Sequence, residues 1–143
     1  KICGNLKSTN LNCICSSKKY DQICVVENLA DMFTIQSTGI YDGSYHILGG
    51  VLPSFEGKNT KNGLLIESLV NRVQKNSIKE VILATSASIE GETTAHYISD
   101  CLKDTKVKIT RLAKGVPVGG EIEFLDDGTL YSAFKNRNTL VSD

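Results

Sequence analysis

The chain carries no net charge and no long hydrophobic run. Its sixteen lysine and arginine side chains are balanced by sixteen aspartate and glutamate side chains, so no overall field attracts it to nucleic acid. Any DNA contact must then come from a local patch or from oligomerisation. No apolar segment approaches the roughly 20 residues of a transmembrane helix, and no signal-peptide pattern opens the sequence. We therefore expect no membrane partner.

The cysteines do not form the pattern of a secreted disulfide framework. There are five of them, an odd number, and two of these, Cys24 and Cys101, lie in apolar stretches. Secreted domains that depend on disulfides usually carry an even number at regular spacing. The cysteine pattern therefore predicts a protein of the reducing cytoplasm.

Residues 1–21 form a polar segment that contains Cys3, Cys13 and Cys15. A structural zinc site takes four thiolate or imidazole ligands, commonly from two Cys-x-x-Cys knuckles. Here there are three thiols, two of them spaced as Cys-x-Cys, which makes a partial knuckle. Two interpretations stay open: a zinc site whose first cysteine precedes Lys1, or a reduced remnant without metal. Because one missing ligand removes most of the binding energy of so small a site, we expect less than one zinc per chain.

The stretch Glu80–Ile98 predicts the central unit of the fold. Its apolar run, Val81–Ala84, suits a strand that is buried on both faces, as in a parallel sheet. A turn of small residues follows, and Glu90 and Glu92 then begin a helix. In an open α/β sheet this order places two carboxylates at the carboxyl edge of a strand, where ligands tend to bind. The apolar positions of this helix, Ile89, Ala95, Ile98, Cys101 and Leu102, recur at helical spacing. We expect Ile98 and Leu102 to hold the helix to the sheet.

The rest of the chain alternates predicted strands with predicted helices. A strand over residues 23–27 ends in Glu27, Asn28 is a good N-cap for the next helix, and Gly39 is a typical helix stop. His46 lies in an apolar strand and is expected to be packed or exposed rather than a metal ligand. The other predicted elements are strands 45–48 and 106–112, helices 29–37 and 64–75, and short helical stretches within 115–124 and 126–137. The predicted apolar face of the first helix consists of Leu29, Met32, Phe33 and Ile35. This alternation predicts an α/β fold with a largely parallel sheet flanked by helices.

The central stretch resembles the Toprim module, which type IA topoisomerases, bacterial primases and RecR proteins share. In the topoisomerases the strand leads into Asp-x-Asp, and a helix that starts with Arg-Glu-Gly-Glu follows. In this chain Glu90-Gly91-Glu92 is retained, whereas Ser86 and Ser88 stand at the two aspartate positions. The resemblance implies a Toprim-type fold with two fewer negative charges at its metal position.

Within the Toprim families the chain resembles RecR proteins over nearly its whole length. The matching motifs are the cysteine knuckle, Ile23-Cys-Val-Val-Glu27, Thr38-Gly39, Tyr45-His-Ile-Leu-Gly-Gly50, Ile82-Leu-Ala-Thr85, Glu90-Gly-Glu92, Arg111, Gly115-Val-Pro-Val-Gly-Gly-Glu121, Thr129-Leu130 and Ala133. The resemblance implies a partial knuckle at 1–21, a Toprim domain at 22–118 and a C-terminal oligomerisation segment at 119–143. We expect the helix-hairpin-helix region that precedes the knuckle in RecR proteins to be missing.

The resemblance implies a recombination mediator of the bacterial cytoplasm rather than an enzyme. RecR proteins bind zinc through the complete knuckle and assemble through both terminal regions into a clamp-like homo-oligomer. They join RecO and RecF at gapped, single-stranded or double-stranded DNA and help to load recombinase. Without the N-terminal contact region, we expect this chain to form a dimer at most.

Four carboxylates are expected at the carboxyl edge of the sheet, and we call them the acidic edge: Glu27, Asp31, Glu90 and Glu92. One hypothesis is a magnesium-dependent phosphoryl-transfer enzyme that uses three of them, Glu27, Glu90 and Glu92. Because Mg²⁺ dehydrates reluctantly and depends on charged oxygen ligands, the serines at 86 and 88 predict weak binding at most. We therefore expect no catalysis.

The second hypothesis is that the acidic edge binds a basic partner, with charge complementarity supplying specificity and association rate. The helix dipole alone explains Glu90 and Glu92, at about 0.3–1 kcal/mol each. It does not explain Glu27, which is predicted to reach the same edge from another strand. Arg111 and Lys114 follow the last strand and are expected to contact phosphate, although exposed basic residues are commonly just solvated.

Overall fold

The computed structural model describes residues 21–50 and 66–140. The zinc prediction for Cys3, Cys13 and Cys15 lies outside these ranges. The chain divides into two units, of which the first ends at Arg111 and the second begins at Leu112. Within the described ranges, no helix is both long enough and apolar enough to cross a membrane.

The first unit is a four-stranded parallel sheet with helices on both faces. Its elements in chain order are β1 (Gln22–Val26), α1 (Leu29–Thr38), β2 (Ser44–Ile47), α2 (Ile66–Lys75), β3 (Glu80–Leu83), α3 (Ile89–Cys101) and β4 (Lys108–Arg111). The strands lie in the order β2-β1-β3-β4, and every neighbouring pair is parallel. The predicted α/β fold, with a parallel sheet and flanking helices, is confirmed.

β1 lies inside the sheet and is buried on both faces because four of its five residues are apolar. On one face the sheet packs against α2 and α3, where the buried residues include Ile23, Val25, Leu69, Ile98 and Leu102. On the other face it packs against α1, where they include Cys24, Val26, Met32, Tyr45 and Ile47. Each such side chain contributes about 1.5–3 kcal/mol when fully buried. Burial also raises the pKa of the Cys24 thiol to about 11, so this cysteine is an inert core residue at neutral pH.

The ends of α1 are those that the sequence predicts. The Asn28 side chain accepts a hydrogen bond of 2.9 Å from the backbone N–H of Asp31, and Gly39 closes the helix at a φ of 70°. Glycine adopts this left-handed conformation without a steric penalty, because it has no Cβ atom. These caps fix the direction in which the chain leaves β1 and returns to β2.

Ile98 and Leu102, which are expected to hold α3 to the sheet, are both buried, whereas one apolar residue of α3 and one of α1 are exposed. Ile89 is 72% exposed and Phe33 is 51% exposed. At 100° per residue, Ile89 lies about 180° around α3 from Ile98, which is the residue that faces the sheet. Phe33 is likewise turned about 100° from its buried neighbour Met32. Both residues therefore lie outside the buried faces of their helices.

His46 of β2 is completely buried, as expected for a packed histidine. The Nη1 group of Arg72, on α2, donates to the backbone oxygen of Tyr45 at 2.9 Å and lies 3.0 Å from His46 Nδ1. Because a guanidinium can only donate, Nδ1 is the acceptor and the imidazole is neutral, with its proton on Nε2. Arg72 therefore joins α2 to the outer strand of the sheet.

The second unit contains a short 3-10 turn, Ile122–Phe124, and the helix α4, Asp127–Lys135. Asp126 caps α4 by accepting from the backbone N–H of Thr129 at 3.3 Å. Neither element contains a buried residue. The large apolar residues that the described part of this unit exposes are Leu112, Val116, Val118, Ile122, Phe124, Tyr131, Phe134 and Leu140.

Candidate functional site

The candidate site lies where the sheet reverses its strand order. The chain leaves β1 for β2 on one side and later returns to place β3 on the other side of β1. At such a point the loops after two neighbouring parallel strands run apart, which leaves a crevice at their carboxyl ends. Glu27 directly follows β1, and the turn that contains Ser86 and Ser88 follows β3.

A chain of hydrogen bonds joins these two strand ends to α3. Glu27 Oε1 accepts from the backbone N–H of Ser86 at 2.6 Å. The hydroxyls of Ser86 and Ser88 are 2.6 Å apart, and Ser88 Oγ accepts from the backbone N–H of Gly91 at 3.1 Å. Ser88 is thus the N-cap of α3. Through these bonds, the two serines at the aspartate positions of the topoisomerase motif link Glu27 to the first turn of α3.

Gly91 lets α3 approach the turn before it. A Cβ atom at this position would overlap the carbonyl oxygen of Ser86 and lie 2.8 Å from its carbonyl carbon. Both are backbone atoms and cannot rotate away. The glycine of Glu90-Gly91-Glu92 is therefore required by packing against the Ser86 turn.

Asp31 and Glu27 bring two negative charges together. Burial, and after it the neighbouring Glu27 carboxylate, raise the pKa of Asp31 above its usual range. The Glu27 charge disfavours ionisation of Asp31, and a nearby cation would favour it. This pair is the part of the acidic edge that reaches the crevice from β1 and α1.

The two remaining carboxylates of the acidic edge are in different situations. Glu90 is exposed in the first turn of α3. Glu92 is partly buried, and its Oε2 accepts from Arg111 Nη1, at the end of β4, at 2.8 Å. Two residues that the sequence assigns to different ligands therefore pair with each other. Lys114, the other predicted phosphate contact, belongs to the second unit and is partly buried.

Two carboxylates of the acidic edge are engaged by donors of the protein itself. Among the described residues, no group of three or more histidine, cysteine, aspartate or glutamate side chains is arranged to hold a metal ion. Mg²⁺ requires octahedral oxygen ligands at short distances. Glu27 and Glu92 instead accept hydrogen bonds from protein donors.

Comparison with known proteins identifies the family. A family model described as the Toprim domain matches residues 21–113, and one described as the RecR C-terminal region matches residues 115–138. The chain is 59% identical to the recombination protein RecR of Pelagibacter ubique (strain HTCC1062), over 99% of this chain and 70% of that protein. The chain belongs to the RecR family.

Other RecR proteins match over the same region. That of Neorickettsia sennetsu is 46% identical over 98% of this chain and 72% of its own length. That of Bartonella bacilliformis is 48% identical over 95% of this chain and 68% of its own length. The RecR resemblance drawn from the ordered motifs is thereby confirmed.

Sequence reasoning missed two features of this RecR site. The first is the close contact of Gly91 with the Ser86 turn, for which a glycine in the first turn of a helix is a signal, because it lowers helix propensity. The second is the pairing of Arg111 with Glu92. The sequence carries no signal for this pair, since it depends on the position of β4 next to β3.

Proposed function

We propose that this chain is a non-catalytic recombination mediator of the bacterial cytoplasm. In this proposal it works with RecO and RecF at gapped or single-stranded DNA and helps to load recombinase. The support is its membership in the RecR family, whose members are named recombination proteins, together with the chemistry of the acidic edge.

The observation that carries the proposal is the hydrogen-bonded connection between Glu27, Ser86 and Ser88. It uses protein donors to satisfy the carboxylate that a Toprim enzyme would direct at a metal ion. Asp31 and Glu90 add negative charge to the acidic edge, and Glu92 contributes a carboxylate that is paired with Arg111. A surface of this kind favours a basic protein partner through charge complementarity.

Self-association through the second unit is part of the proposal. The described part of that unit exposes large apolar side chains on both α4 and the 3-10 turn, including Phe124, Tyr131 and Phe134. Exposed apolar residues in such number are typical of surfaces that are covered in an assembly. A homodimer of this chain is the assembly that we propose.

The competing function is a magnesium-dependent nuclease or topoisomerase. We expect no nicking, relaxation or primer synthesis by the chain with Mg²⁺, because Ser86 and Ser88 replace two of the carboxylates that would hold the ion. The measurement is plasmid conversion on agarose gels. Glu27→Gln is the matched variant, since its amide oxygen can still accept from the Ser86 N–H. Magnesium-dependent nicking by the parent that Glu27→Gln abolishes would restore the enzyme hypothesis.

Reversing two charges of the acidic edge tests partner recognition. We expect Glu90→Lys/Glu92→Lys to weaken binding to RecO at least tenfold, about 1.4 kcal/mol, by placing like charges against a basic surface. The fold should survive, since the lost dipole interactions cost on the order of 1 kcal/mol per site and the lost Glu92–Arg111 pair up to about 1 kcal/mol more. The stability of a domain is about 5–15 kcal/mol. Thermal unfolding and titration calorimetry in low salt measure the two effects.

The control is Asp100→Lys/Asp104→Lys, which makes the same total charge change at two exposed positions, at and just after the far end of α3. It should leave RecO binding within about twofold, as is usual for a substitution outside a contact. If Glu90→Lys/Glu92→Lys unfolds like the parent and binds RecO undiminished, the two glutamates serve only contacts within the chain and the acidic edge is not a partner site.

A further inference from the structure

Arg111 has unused hydrogen-bonding capacity. It is the last residue of β4, and its side chain is 51% exposed. Its guanidinium donates to Glu92, and no other hydrogen bond or ion pair of this group is found among the described residues. A guanidinium carries five N–H donors in a planar fork that matches phosphate oxygens. Most of these donors are left to solvent.

Glu92 is the more firmly held partner of the pair. Its side chain is 28% exposed, and its backbone N–H donates to Ser88 O at 2.9 Å within the capped first turn of α3. Arg111 lies at a strand end and carries a longer side chain. An approaching ligand would therefore move the arginine away from the glutamate.

We propose that Glu92 is a resident competitor for Arg111, and that a nucleic-acid phosphate displaces it when the protein binds DNA. The proposal rests on the DNA role given above and adds to it how the contact is regulated. An exposed ion pair is weak in water, whereas a phosphate can take two parallel hydrogen bonds from an arginine. The exchange replaces one charge-assisted contact by another, and the balance depends on how strongly Glu92 competes.

The exchange also couples DNA binding at Arg111 to the charge of the acidic edge. While Glu92 pairs with Arg111, each neutralises the other's charge. Transfer of Arg111 to a phosphate takes this positive charge away from Glu92. DNA binding would thereby strengthen the attraction of the edge for a cationic side chain, and by linkage a cation on Glu92 would strengthen DNA binding.

The test is a double-mutant cycle on DNA affinity with the full 143-residue chain. The probe is fluorescein-labelled oligothymidylate, and the readout is anisotropy at several low salt concentrations. We expect Glu92→Gln to bind about two- to fivefold more tightly, the range that corresponds to an exposed pair. Arg111→Gln should bind more weakly and lower the slope of log K against log salt by about 0.7, one single-strand phosphate contact. The gain from Glu92→Gln should vanish in the Arg111→Gln background.

Asp100→Asn removes one negative charge from the same helix and serves as the control, with affinity expected to match the parent. Persistence of the Glu92→Gln gain without Arg111, or an equal gain in Asp100→Asn, would assign the effect to general repulsion and overturn the exchange. If the parent binds DNA and Arg111→Gln binds it equally, Arg111 is no phosphate contact, while the DNA role stands. Absence of binding by every form would remove the DNA role of this chain and the inference with it.

Discussion

Replacing Gly91 by alanine is expected to destabilise the first unit by about 3 kcal/mol, the upper part of the usual range for overpacking. Helix propensity alone predicts the opposite sign, since alanine is favoured over glycine by about 1 kcal/mol inside a helix. The added methyl group would overlap the backbone of Ser86, and relief requires α3 to move away from the turn. Urea unfolding followed by circular dichroism measures the change.

Ile89→Ala is the matched control for Gly91→Ala. It introduces the same residue into the same helical turn, at a side chain that is 72% exposed. A substitution at such a surface position should change stability by no more than about 0.5 kcal/mol. If Gly91→Ala is as stable as this control, the turn yields easily and the contact with Ser86 does not position α3.

Replacing Arg72 by methionine is expected to cost about 2–3 kcal/mol, since it removes a charged donor from two acceptors in the sheet. These acceptors are the backbone oxygen of Tyr45 and the Nδ1 atom of the buried His46. Methionine keeps much of the length and the apolar contact of the arginine stem. Urea unfolding at neutral pH gives the value.

Two further variants separate charge from geometry at Arg72. Arg72→Lys keeps the charge without the planar fork and should fall between parent and methionine variant. Lys75→Met removes a positive charge from an exposed position of the same helix and should stay within about 0.5 kcal/mol. Equal effects of Arg72→Met and Lys75→Met would mean that only net charge matters and that the buried contacts contribute nothing.

The sequence predicts the fold well because its local signals agree with one another. The apolar run of β3, the Asn28 cap and the Gly39 stop each depend on residues close in the chain. The apolar repeat of a helix is less informative on its own, since that of α3 includes Ile89, which lies outside the buried face. The alternation of strands and helices was enough to predict a parallel sheet.

Only the features of the site that depend on residues close together in the chain, or on the shared edge of parallel strands, could be predicted. That Glu27 and the turn after β3 meet follows from parallel strands ending at one edge. Their hydrogen bond does not, because it uses a backbone N–H that any residue would offer. The Arg111–Glu92 pair could not be predicted for a different reason. Each residue already has a separate explanation, the helix dipole for Glu92 and a phosphate contact for Arg111, so nothing in the sequence indicates that they pair.

The junction between Glu27 and Ser86 has a consequence for the order in which the chain can fold. The two residues are 59 positions apart, and β1 pairs with β3 across a similar distance. At ribosomal rates of 5–20 residues per second, β1 waits about 3–12 s before this neighbour has been synthesised. During that interval α1 and β2 can form on one side of β1, while its other edge stays unpaired. Contacts across such separations also slow folding after synthesis, so the crevice is among the last features of the first unit to be completed.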